Sequence, residues 1–465
     1  MNVGMKNDIS MKARKQNSIV DRFLRRLQEN WRSIVIIIPF VWLLMFFLFP
    51  FFIVAKISLA EIKIASPPFT SMVEWADGGI MTIRIVFDNF LYIINDSLYI
   101  NTYLNSVKIA STATVISLLL GYPIAYGIVR SGPIAKPILL FMVILPFWTS
   151  FLLRVYAWMG LLADQGTINS LLIALGFINE PIQMLYSEFA VYIGIVYTYL
   201  PFMILPLYAN MEKLDSSLNE AAADLGSKPT NTFFKVTLPL TMPGVIAGSL
   251  LVFIPASGEY VIPDLLGGGN VQMIGRVLFN EFSRNTDWPV ASAVAIAMLF
   301  LLVFPIIIFQ HYQGKAAEGN LVMYGKRSKF LTVMLTIGMA FFYIPIILLV
   351  VYSFNYSKLV LVWGGWSTRW YKVLFESEEV WAAVNMSLKI ALVNATFATI
   401  LGMLAALSMV RFGKFRGRTL FGGMLVAPLV MPEVITGLSL LVMFITLKQF
   451  FGWPENRGFA TITIA

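Results

Sequence analysis

The chain has 465 residues, 58% of them hydrophobic and only 13% charged, with a mean hydropathy of +0.77. A soluble globular domain carries about 25% charged residues, so the composition points to an all-α polytopic membrane protein. There is no cysteine and only one histidine, His311, which excludes disulfides, thiolate metal sites and a zinc cluster, so no metal or cofactor is expected. The net charge of +9 would suit nucleic acid in a soluble protein, but the basic residues gather in particular loops, as membrane topology requires.

Residues 1–32 hold eight basic residues and no apolar core, so they are not a cleavable signal peptide. From Ile19 to Trp31 apolar residues recur at helical spacing with arginines between them. This predicts an interfacial amphipathic helix on the cytoplasmic leaflet, preceded by a solvated basic tail.

A spanning helix needs about 20 apolar residues. The sequence predicts such spans over roughly 33–57, 104–129, 137–162, 186–209, 243–263, 289–312, 330–352, 387–410 and 420–447. These are about nine transmembrane helices, and a partial tenth begins near Phe459. Basic residues concentrate in alternate loops, at Arg130 and Lys136, Lys213 to Lys235, Lys315 to Lys329, and Arg411 to Arg418. The opposite loops are acidic or mixed. The positive-inside rule therefore puts the N-terminus and the 210–242 loop in the cytoplasm.

That loop carries Glu220-Ala-Ala-Ala-Asp-Leu-Gly226, followed by Val236-Thr-Leu-Pro239. Small alanines on a short helix allow another protein to approach closely. Glu220 near the helix start suits the helix dipole, and Gly226 can end the helix in a left-handed conformation. An ordinary capped loop helix is the plainer alternative. With Glu220, Ala221, Ala222, Asp224, Gly226, Leu238 and Pro239 in register between spans, the segment resembles the coupling loop of bacterial ABC importer permeases. In that family a separate ATPase docks on this loop.

The chain also repeats itself. Asn105-Ser-Val-Lys-Ile-Ala110 returns as Met386-Ser-Leu-Lys-Ile-Ala391, and Ser106, Lys108, Gly121 and Arg130 map to Ser387, Lys389, Gly402 and Arg411 at an offset of 281. Pro50 and Ser58 map to Pro345 and Ser353 at 295, so the second outer loop is 295 − 281 = 14 residues shorter. Pro146 pairs with Pro428 at 282. The repeat is parallel. It divides the chain into the tail 1–32, a first permease unit 33–320 of six spans, and part of a second unit, 321–465, with three. Met323 at the junction has the look of a former start. A second coupling glutamate should fall near 428 + 74 = 502, beyond Ala465, so the second unit is expected to lack its coupling loop and last two spans.

Phe253-Ile-Pro-Ala-Ser-Gly-Glu-Tyr-Val-Ile-Pro-Asp264 and Trp288-Pro-Val-Ala-Ser-Ala-Val-Ala-Ile296 resemble one permease of the putrescine and spermidine ABC importers. Tyr352-Ser-Phe-Asn-Tyr356, Gly365-Trp-Ser-Thr-Arg-Trp-Tyr371 and Ala427-Pro-Leu-Val-Met-Pro-Glu433 resemble its partner permease. The resemblance implies a type I ABC importer permease fold in the bacterial inner membrane. It also implies a cytoplasmic ATPase, a periplasmic polyamine-binding protein and two permeases, here fused. Whether a complete second permease joins this chain stays open.

A polyamine path needs carboxylates for ammonium groups and aromatic faces for charge and methylenes. A charge at a helix centre costs about 2.5–3.5 kcal/mol, so acids there are functional candidates. Glu259, Tyr260 and Asp264 sit at the outer end of the fifth span, where Pro255, Gly258 and Pro263 interrupt the helix. Glu433 lies inside the ninth. Trp148, Tyr156 and Trp158 are aromatic candidates on the third span, beside Arg154, which would repel the substrate unless paired. Helix caps and an interfacial aromatic belt are the plainer readings of these residues. No Gly-x4-Gly-Lys-Ser/Thr phosphate loop occurs, so ATP hydrolysis is assigned to a partner. A secondary transporter would need no coupling loop and usually shows an inverted repeat; an inactive gene fusion is the other alternative.

Overall fold

The computed structural model describes residues 31–76, 80–313, 329–358 and 363–464. The amphipathic helix expected over 19–31, apart from Trp31, and the junction at Met323 lie outside these residues, and so does the side chain of His311.

The chain is helical. The membrane-length helices are α1 (Trp31–Ile57), α3 (Ser97–Val129), α7 (Glu188–Met211), α9 (Pro229–Ser257), α13 (Lys329–Tyr352), α15 (Glu378–Arg411) and α17 (Glu433–Phe451). Among the described residues these are seven, or eight if the bent pair 135–174 is one span. The bent pair begins with α4 (Ala135–Ile144) and α5 (Phe151–Leu162). α12 (Trp288–Gln313) is described as apolar over Trp288–Leu302. Between α1 and the short α2 (Asp88–Asn95), an antiparallel hairpin pairs β1 (Val73–Ala76) with β2 (Ile80–Ile83). The remaining helices are α6 (Thr167–Ala174), α8 (Ser216–Asp224), α10 (Val261–Leu265), α11 (Ile274–Ser283), α14 (Arg369–Glu376), α16 (Arg418–Val430) and α18 (Phe459–Ile464).

Prolines shape the spans. α1 widens to a π turn at Leu44–Leu48, two residues before Pro50, and α9 does so at Phe233–Thr237, two residues before Pro239. A proline has no N–H and its ring clashes with the carbonyl four residues back; a wider turn relieves both. Hence α9 runs on from Pro229, and Leu238 and Pro239 stand within a helix rather than in a loop. The third span is not one helix over 137–162. It bends by 90° after a 3-10 turn at Leu145–Trp148, where Pro146 sits. The ninth is likewise broken, between Val430 and Glu433, by Pro432.

The chain forms two compact units. One holds residues 54–378 together with 429–438, and the other holds residues up to Ile53 with 379–428 and 439 onward. In the larger unit α3, α7 and α9 pack together, and α13, the first span of the second repeat, lies against α3 and α5. Tyr197 donates to Phe342 O over 2.9 Å and Tyr343 to Met142 O over 2.9 Å, which pins α13 there. Gly244 and Gly248, one turn apart on α9, face α7. A Cβ on Gly248 would stand 3.0 Å from Met203 O, and one on Gly244 would stand 3.0 Å from Pro206 O. Small residues at this spacing let two membrane helices approach closely. In the smaller unit α1 meets the second repeat: Arg32 donates to Phe412 O over 2.7 Å, Ser408 to Val35 O over 3.1 Å, and Phe40 meets Phe421 edge-on.

Candidate translocation and coupling sites

α9 ends at Ser257, and Gly258-Glu259-Tyr260 carry the chain into α10. Glu259 is 9% exposed. Its Oε1 accepts from Tyr260 N at 3.1 Å and Val261 N at 3.0 Å, capping α10, and its Oε2 accepts from Tyr199 Oη at 2.6 Å. A carboxylate offers about four acceptor sites, so Oε2 keeps one free. Tyr199 is 11 residues into α7 and 12 from its end. At 1.5 Å per residue, Glu259 is level with the middle of α7, about 17 Å from either end. The sequence had set it at the outer end of its span. Packing of α9 against α7 sets this level.

Aromatic rings continue from this carboxylate. Tyr199 is 6.2 Å from Phe202, Phe202 is 4.9 Å from Phe147, and the Arg154 guanidinium lies 5.2 Å from the Phe147 centroid. Arg154 is 5% exposed and makes no ion pair among the described residues. Phe147, Tyr199 and Phe202 escaped the sequence reading. The cluster Tyr197-Thr-Tyr199-Leu-Pro201-Phe202 within a span was the available signal, but the register facing Glu259 is set only by packing.

Pro432 reaches the same place. A Cβ on Gly258 would stand 2.4 Å from Pro432 Cβ, so the break before α17 abuts the break after α9. Glu433 follows as the first residue of α17 and is exposed, rather than lying inside a continuous span. The other candidates diverge. Asp264 is paired with Arg276, Oδ1 to Nε 3.0 Å, without in-line hydrogen-bond geometry. Tyr260 stacks on Phe279 at 4.5 Å. Trp158 is buried between Tyr197 and Phe341, with centroids 5.7 and 5.4 Å away. Trp148 meets Phe141 and is 71% exposed; Tyr156 is half exposed beside Pro345.

The loop helix α8 is capped at both ends. Asp215, not Glu220, caps its start by accepting from Ser217 N at 2.9 Å, so Glu220 stands mid-helix and exposed. Gly226 has φ +75°, with Gly226 N donating to Ala223 O and Ser227 N to Ala222 O, both over 2.9 Å. This paired closure satisfies the last carbonyls and needs the left-handed residue. Ala221, Asp224, Leu225 and Pro239 are exposed; Ala222 and Leu238 are half-buried. No atom lies within 4 Å of a Cβ placed on Gly226.

Apolar helices long enough to cross a membrane, two of them broken near a buried carboxylate, give this chain the architecture of a multi-pass membrane protein. Residues 9–319 match the model for the binding-protein-dependent transport system inner membrane component, and the chain belongs to that family. Over 292 residues it is 40% identical to the spermidine/putrescine transport system permease protein PotB of Haemophilus influenzae, covering 63% of this chain and 96% of that protein. Over 139 residues it is 54% identical to the putrescine transport system permease protein PotI of Escherichia coli, covering 30% of this chain and 50% of that protein. The two relatives match the chain in parts, consistent with a fusion of two permeases. A solved bacterial alginate ABC transporter, in complex with an alginate pentasaccharide-bound periplasmic protein, superposes with a TM-score of 0.49 at 14% identity, covering 64% of this chain and 100% of that chain.

Proposed function

We propose that the chain is a membrane subunit of an ATP-driven polyamine importer of the bacterial inner membrane, with its N-terminus and α8 cytoplasmic. The observation that carries this reading is the row Glu259–Tyr199–Phe202–Phe147 at the mid-level of α7. A desolvated carboxylate with a free acceptor site suits an ammonium group, and the ring faces suit the next ammonium and the methylenes. Glu433 stands at the edge of this region. Trp148, Tyr156, Trp158, Tyr260 and Asp264 have other partners and are not assigned to the row. Outside the membrane, a periplasmic polyamine-binding protein delivers the substrate.

Coupling is assigned to α8 and the start of α9. Glu220, Ala221, Ala222, Asp224 and Gly226 form a low-relief surface for an ATPase, with Leu238 and Pro239 holding the following helix. The ATPase performs hydrolysis. The repeat supports two permease units, 33–320 and 321–465. In α15, 6% of the apolar stretch is buried, against 56% in its counterpart α3. α3 is covered by α7 and α9, and the bare face of α15 is one that a second permease could cover.

The test is uptake of labelled putrescine and spermidine into vesicles holding the chain, its ATPase, its binding protein and a second permease. ATP-dependent uptake of polyamines and not of neutral solutes is the expected result. Uptake that persists without ATPase and follows an ion gradient would overturn the reading.

A further inference from the structure

Near the α8 end of the larger unit, away from the Glu259–Tyr199 row, lies a cavity of about 760 Å³. Its wall runs along α3 from Leu118 to Arg130, and Phe233, Leu238 and Leu331 close it from the side. Twelve residues of α3 at 1.5 Å each give a groove about 18 Å long. The hydrocarbon half of one leaflet is about 15 Å deep. The groove therefore has the length of an acyl chain. Leu119, at the deep end, is 69% exposed, so that end opens sideways to the bilayer.

Arg130 marks the other end. It follows the last residue of α3, and its guanidinium lies 4.5 Å from the centroid of the Tyr126 ring. Its Nε is buried without a hydrogen-bond partner, and Arg130 makes no ion pair among the described residues. The polar groups beside it are already satisfied: Tyr122 Oη and Thr241 Oγ1 bond each other at 2.8 Å, and Thr232 Oγ1 donates to Ser227 Oγ and Lys228 O. A partly buried arginine at the mouth of an apolar groove, with its Nε unpartnered and no carboxylate beside it among the described residues, calls for an anion.

We infer that this groove holds one anionic phospholipid, with an acyl chain along α3 and its phosphate on Arg130. Charge excludes a polyamine from the site, and the apolar wall excludes a free phosphate. The lipid would wedge α3 against the base of α8 and the start of α13, so its occupancy bears on how firmly the coupling surface is held.

The full chain is purified in mild detergent and passed through equimolar phosphatidylglycerol and phosphatidylcholine vesicles. Retained lipid is then read by native mass spectrometry. Wild type should retain phosphatidylglycerol over phosphatidylcholine by about fivefold, the worth of one basic side chain at an anionic surface. Arg130→Gln should bring the ratio to unity, and Arg130→Lys should restore most of it. Leu119→Trp fills the deep end without touching the charge, and it should lower retention of both lipids. A wild type that retains neither lipid, or retains them in the vesicle ratio, would overturn the inference. So would an Arg130→Gln variant that keeps the phosphatidylglycerol excess. None of these readouts depends on transport, so they stand or fall apart from the polyamine reading.

Discussion

The Tyr199 hydroxyl donates to Glu259 Oε2 over 2.6 Å, joining the middle of α7 to the break between α9 and α10. Glu259 is thereby oriented by four donors, three of them the backbone N–H groups of Tyr260, Val261 and Ile262 on Oε1, and Oε2 keeps one acceptor site beyond the Tyr199 bond. In the proposed path, a cation at this level would meet an acceptor already held in place.

Tyr199→Phe should lower polyamine uptake by roughly tenfold or more, because losing a hydrogen bond to a charged, desolvated group costs about 1.5–3 kcal/mol. Glu259→Gln should lose at least as much. Both are read as initial uptake rates normalised to the amount of chain in the membrane. Unchanged uptake with unchanged selectivity over neutral solutes in both variants would remove the path from this carboxylate.

Glu433→Gln should have a smaller effect, less than about fivefold, since an exposed pair is worth about 0–1 kcal/mol. The same assay on the double variant with Glu259→Gln tests whether the two acids share one substrate. A shared dication gives non-additive losses, whereas independent positions give losses that multiply.

Glu220→Lys and Gly226→Asp alter the exposed face and the closing turn of α8. Membrane insertion should be normal, while ATPase captured on the chain and ATP-driven uptake should both fall. Gly226→Asp also strains a residue at φ +75°, so Gly226→Asn, which tolerates that conformation better, should retain more capture. Capture equal to wild type in Glu220→Lys and Gly226→Asp would sink the coupling assignment.

Gly248→Leu places a side chain where a Cβ alone would stand 3.0 Å from the Met203 carbonyl oxygen and 3.3 Å from its Cα. Overpacking of this kind typically costs about 1–3 kcal/mol, and backbone cannot yield as a side-chain tip can. The variant should melt at lower temperature in detergent, and Gly248→Ala should lose less. A melting curve for Gly248→Leu that overlays the wild type would show that α7 and α9 are not closely packed there.

The sequence by itself determined the membrane class and most of the approximate spans. Hydropathy is a property of consecutive residues, and local chemistry writes it directly. It also determined the left-handed closure at Gly226, because the geometry depends only on the residues of α8. It misjudged what depends on register between helices. Glu220 was set near a helix start, but the helix begins four residues earlier, at Ser216, with Asp215 as its cap. Glu259 was set at an outer boundary, although packing of α9 against α7 brings it to mid-level. The partners Tyr199, Phe202 and Phe147 lie 60, 57 and 112 residues away from Glu259 in the chain, and no periodicity links them. The proline breaks at Pro146 and Pro432 were visible as residues. Only the tertiary structure decided that one bends its span by 90° and that the other abuts Gly258, because a freed backbone turn takes the direction its neighbours allow.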